Sequence, residues 1–138
     1  MTNDQGSPKS KMNLTANLDP AALARLCRLG GNKFAREMID LFLDYVGKKV
    51  AEARQAQLAG DLAGVEKAVH PVKSSAGNVG AVRVQELATR LEREAKAGQA
   101  AAIAAGFGEL EQAFAAVGLE LVAARQTLVD DITPPLPP

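Results

Sequence analysis

From Leu18 to Leu128 apolar residues recur at intervals of three and four, and alternating β-branched runs are absent, so the chain reads as a series of amphipathic helices. The most regular segment carries Ile103, Phe107, Leu110, Phe114, Val117, Leu121 and Leu128, with Ala124 completing the rhythm. A shorter one, stopped by Gly98, carries Val84, Leu87, Ala88, Leu91 and Ala95. Another is capped by Asp61, ends at Gly80 and has the seam Leu62, Val65, Val69, Val72, Ala76 and Val79. A long helix runs from an Asn32 cap to Gly60, with Phe34, Met38, Leu41, Phe42 and Tyr45 as its expected inward stripe. In front of it, Asp19 and Pro20 start a short helix that Gly30 and Gly31 stop. Short connections between long amphipathic helices predict an all-α fold, an antiparallel up-down four-helix bundle with a short extra N-terminal helix. The expected division is an N-terminal arm over 1–17, the bundle over 18–129 and a proline-rich tail over 130–138.

The long helix has a second apolar row, Ile39, Leu43, Val46 and Val50, about a third of a turn from the first. The short helix, through Leu23, Leu26 and Leu29, is expected to cover most of it, and the rest to meet a partner. The proline-rich end cannot form helix or a central strand. It reads as a frayed tail, with a polyproline-type ligand as the alternative.

Composition narrows the function. The 138 residues carry 16 basic and 16 acidic side chains, and zero net charge argues against nucleic acid as a partner. No apolar run approaches the roughly 20 residues of a membrane span. The start of the chain lacks the basic and apolar regions of a signal peptide, so a cytoplasmic location is expected. A single cysteine, Cys27, excludes an internal disulfide and reads as a small buried hydrophobe. The single histidine, His70, excludes two-histidine metal sites.

His70 is also the candidate for chemistry. At 100° per residue it points roughly 130° from the middle of the seam of its own helix, and therefore outward. Lys73 and Ser74 follow one turn on and Gly77 two turns on, while Glu66 and Lys67 precede it on the same side. An imidazole is a competent nucleophile near neutral pH through its unprotonated nitrogen. Lys73 places a cation where it would neutralise a phosphoryl group on the ring, and Gly77 leaves room for another protein to approach. Glu66 reads as a solvated partner of the helix face, with ring orientation as its other possible role. Neither a nucleophile elbow nor a GxxxxGK[ST] phosphate loop is present.

The run His70-Pro71-Val72-Lys73-Ser74-Ser75-Ala76-Gly77-Asn78-Val79-Gly80-Ala81 resembles the signature of histidine-containing phosphotransfer (HPt) domains. In that family a histidine is followed by any residue, an aliphatic, Lys, Gly or Ser, Ser, small residues, an aliphatic and Gly-Ala. The resemblance implies that His70 accepts and donates a phosphoryl group, that Lys73 assists electrostatically and that Ser74 and Gly77 keep the ring accessible. It also implies that Gly80 makes the turn into the next helix. Ser74 stands where glycine is frequent. Pro71 withholds the amide that would bond the carbonyl of Lys67, which predicts a bend over 67–71 that lifts His70 into solvent.

The resemblance further implies a carrier, not an enzyme: phosphate would pass between His70 and an aspartate of a response-regulator receiver domain. The Mg²⁺ this requires is expected on the receiver, and no cofactor on this chain. A sensor histidine kinase, hybrid or not, is the other expected partner, with no self-phosphorylation from ATP. A monomer is expected, because one bundle closes its own core. The alternative from a different class is a helical adaptor in which the histidine is incidental.

Overall fold

A computed structural model describes residues 17–129 of the chain. Among them are four helices: α1 Pro20–Leu58, α2 Leu62–Val79, α3 Val82–Lys96 and α4 Ala100–Thr127. Each packs on the next and α4 closes back on α1, so the core lies inside a ring of antiparallel neighbours. The arm expected before Leu18 (Asn17 apart) and the proline-rich tail lie outside the described residues. Asn17 itself is tied to α4, its Nδ2 donating to Glu120 Oε2 at 3.0 Å.

Asp19 caps α1, its Oδ1 accepting from Ala21 N at 3.0 Å, with Pro20 in the first turn, where a missing N–H costs nothing. At Gly31 the backbone leaves helical geometry (φ 86°, ψ 176°). The expected short helix is therefore the first arm of α1, over 20–30, joined through this kink to the long arm over 32–58. Ala22, Leu23 and Leu26 of the short arm are buried, whereas Leu29 is exposed.

The short arm is anchored on the turn between α2 and α3. Asp19 N donates to Gly80 O at 2.8 Å. Gly80 caps α2 in the left-handed region (φ 79°), where its own N–H and that of Ala81 close the last turn on Gly77 O and Ala76 O. A Cβ here would lie 2.6 Å from Asp19 O and 2.7 Å from Ala22 Cβ.

The two apolar rows of α1 exchange the roles expected of them. Ala35, Ile39, Phe42, Val46, Val50 and Ala53 are buried, while Leu41 is 57% and Tyr45 37% exposed and Phe34 and Met38 are half-buried. The reason is continuity. Only the row through Ile39 extends at helical spacing along the whole long arm, with alanines at its ends that let the neighbouring helices approach. Of the expected inward stripe Phe42 alone enters the core, where it meets the ring of Phe114 at 5.7 Å between centroids. The other helices keep their predicted seams, and Cys27 is half-buried against the core.

α2 passes through Pro71 as one continuous helix, so the proline predicted to bend the chain over 67–71 does not end the helix. Val65, Val69, Val72 and Ala76 are all fully buried on both sides of the proline. Keeping that seam in phase stabilises the helix by more than one absent N–H bond weakens it.

Candidate functional site

His70 sits near the middle of α2 with 66% of its side chain exposed. Its ring leans toward α3, where Nδ1 lies 2.5 Å from Glu92 Oε2. Glu92 shares the inner side of α3 with Leu91, Ala88 and Ala95 and is itself buried. Its other oxygen, Oε1, pairs with Lys73 Nζ. Lys96, one turn further along α3, places its ammonium 3.8 Å from Oε2.

One buried carboxylate thus faces three basic side chains. Lys73, by hydrogen bond, is the largest influence holding the Glu92 carboxyl below its ordinary range, and desolvation opposes it. The hydrogen bond from His70 and the charges of Lys73 and Lys96 add to the lowering. Without such partners a carboxylate would not be found on an apolar seam.

The residues expected from the sequence fall at different distances from this centre. Lys73 lies one turn from His70 and is held by Glu92. Ser74 is exposed, its hydroxyl 3.5 Å from the carbonyl of Pro71. Gly77 faces α3, where a Cβ would come within 2.8 Å of Gln85 Nε2. That amide donates to Lys73 O at 3.2 Å, so the space Gly77 leaves is used by Gln85 to hold α3 against α2. Gly80 is remote from the ring, at the turn described above. Glu66 stands 4.0 Å from Lys96, on the rim of a shallow depression that also includes Lys67, His70 and Glu92.

Glu92, the partner of the ring, was absent from the expectations drawn from sequence. Its signal was available: position 92 lies four residues after Ala88 and three before Ala95, on the edge of the seam, where a charged residue implies a cation opposite.

A second feature lies further along α2. Met38, Leu41, Phe42 and Tyr45 of α1, with Ser75, Asn78 and Val79 of α2, line a mainly apolar groove of about 310 Å³. Asn78 is eight residues beyond His70, or roughly 12 Å along the same helix.

The sequence profile of the Hpt domain matches residues 37–120, well over half of the chain. The chain belongs to the Hpt family. It carries phosphoryl groups by histidine phosphotransfer in phosphorelays, and response-regulator receiver domains are the partners of this family. Its fold is similar to that of the histidine-containing phosphotransfer protein HptB from Pseudomonas aeruginosa, with a TM-score of 0.77 and 25% identity over 82% of this chain and 97% of that one. It is also similar to a rice protein described as a histidine-containing phosphotransfer protein, with a TM-score of 0.70 and 17% identity over 87% and 89% of the two chains. No curated protein sequence matches it. Among the described residues, no helix is long and apolar enough to cross a membrane.

Proposed function

We propose that His70 is the phosphoryl acceptor and donor, exchanging the group with an aspartate of a receiver domain while Lys73 assists. The observation that carries this reading is that the only histidine in the sequence projects from the middle of α2, with a lysine one turn away on the same carboxylate. Phosphoryl transfer depends chiefly on aligning the donor and acceptor atoms and neutralising the charge on the oxygens between them. An exposed ring permits the alignment and Lys73 supplies the charge.

The groove between α1 and α2 is the docking surface in this proposal. A receiver domain placed over His70 would cover Leu41 and Tyr45, and exposed apolar area beside a reactive group is suited to transient association. Its aspartates would bring the Mg²⁺, whose preference is for oxygen ligands. A sensor histidine kinase is the proposed source of phosphate, since the sequence has no phosphate-loop pattern with which to use ATP. The protein is proposed to act as a cytoplasmic monomer.

Intact-mass spectrometry after exposure to phosphoramidate tests the reading without a cognate kinase. Wild type is expected to gain one acid-labile phosphoryl group and His70→Gln none. An unmodified but folded wild type, or equal modification of both, would refute it.

A further inference from the structure

We infer that the outward face of α4 pairs with the same face of a second copy of this chain, as an antiparallel helix pair that forms reversibly. Each chain remains the unit that carries phosphate, and the pair is populated as concentration rises.

A helix on the surface of a bundle ordinarily turns charged residues to water, as α1 does with Glu37, Asp44 and Lys48. α4 does the reverse. Its charged residues are Glu109, Glu111, Glu120 and Arg125, and each is turned sideways onto a neighbour. Glu111 accepts from Arg54 Nε at 3.0 Å and Arg125 Nε donates to Asp40 at 2.7 Å, both across to α1. Glu109 accepts from Arg90 Nη1 of α3 at 3.1 Å, and Glu120 accepts from Asn17.

Between these flanks Ala105, Gly108, Gln112, Ala115, Leu119 and Val122 follow one another at alternate spacings of three and four, and none of them is buried. That is the spacing of a helix-pairing seam, and it holds no charge. At 100° per residue Leu119 points opposite to the buried Leu110. Leu119 is 75% and Val122 44% exposed, and contiguous apolar surface of this kind marks an association site.

Gly108 is a second, independent sign. Glycine inside a helix destabilises it relative to alanine, yet a Cβ at this position meets nothing within 4 Å. No described residue of the chain therefore requires glycine there. A partner helix does.

Shape fixes the direction. With the dyad midway between Gln112 and Ala115, antiparallel copies set Leu119 of one chain against Gly108 of the other, and Val122 against Ala105. Large side chains then enter the places that small ones leave open, and the dyad repeats each contact. A parallel pair would stack Leu119 on Leu119 and leave Gly108 facing Gly108 across a void. In the antiparallel register no like charges meet, since Glu109 faces Gly118 and Glu111 faces Ala116 of the second copy. The helix dipoles then also run in opposite directions, the favourable arrangement.

Size sets the strength. α4 has 28 residues, about 42 Å of helix, and a strip about 10 Å wide along it hides on the order of 800 Å² over both copies. Stable complexes bury roughly 1,200–2,000 Å², so this pair is transient. α2 packs on α1 and α3 and lies across the bundle from α4, which leaves both His70 rings accessible. The pair thus presents two transfer sites to one partner assembly.

Sedimentation equilibrium of the full chain, from about 10 µM to about 1 mM, should show an average mass rising from 14.4 kDa toward twice that value. Gly108→Leu enlarges the apolar surface but fills the place of Leu119, and should weaken association roughly tenfold or more. Leu119→Gly, which removes the inserted side chain, should weaken it as well. The double variant exchanges the large and small positions and should regain association. Both positions lie on the helix surface, and circular dichroism verifies that the variants fold. A wild type that stays at 14.4 kDa throughout would overturn the inference. So would a Gly108→Leu chain that associates as strongly as wild type or more so, or a double variant no better than the single ones.

Discussion

Replacing Gly80 by alanine should disable the joint that holds the short arm of α1 to the rest of the bundle. The cost has three parts. A left-handed backbone (φ 79°) costs an L-residue about 1–2 kcal/mol. The new Cβ would stand 2.6 Å from Asp19 O, a main-chain atom that cannot turn aside, and relieving such overpacking costs about 1–3 kcal/mol. Moving Asp19 away also breaks its 2.8 Å hydrogen bond to Gly80 O, worth about 1 kcal/mol. Together these come to about 3–6 kcal/mol, against the roughly 5–15 kcal/mol by which domains are stable. Gly60 is the internal control, since it has φ 72° with nothing within 4 Å of a built Cβ. Gly60→Ala should therefore lose only the backbone term of about 1–2 kcal/mol. Urea denaturation followed by far-UV circular dichroism compares the two. Equal shifts of their midpoints would refute the idea that contact with the short arm, beyond the turn itself, demands glycine at position 80.

Further outcomes follow from the site and its helices. Pro71→Ala supplies the absent amide in an intact helix and should raise stability by up to about 3 kcal/mol, seen as a higher urea midpoint. Leu41→Asp in the exposed wall of the groove should weaken receiver binding in a calorimetric titration, yet leave phosphorylation by phosphoramidate unchanged. For Glu92 the sign with pH is set by its lowered carboxyl. The stability contributed by its ionised form is present above the ordinary value of 4.5 and is lost as pH falls through the lower folded-state value. Thermal melts of wild type and Glu92→Gln should therefore converge on acidification, and a gap independent of pH would contradict this.

Much of the bundle was legible because a helix that buries one face must repeat its apolar residues every three or four positions. The seams of α2, α3 and α4 follow from that requirement, as do the caps at Asp19 and Asp61 and the turn at Gly80. The same spacing placed His70 outward and Lys73 beside it. Periodicity failed on α1, where two apolar rows lie side by side and residue size favoured the aromatic one.

By itself, then, the sequence determined the helices, their order and the exposed histidine, all of which depend on neighbours close in the chain. Tertiary structure decided which row of α1 became core and which became the wall of a groove, since that depends on the surfaces α2 and α4 present. It also decided the electrostatics of the site. Glu92 is 22 residues from His70 in the chain, and only the packing of α3 on α2 brings its carboxylate to the ring and to Lys73. No periodicity within one helix encodes that meeting, because it is a property of the interface between two.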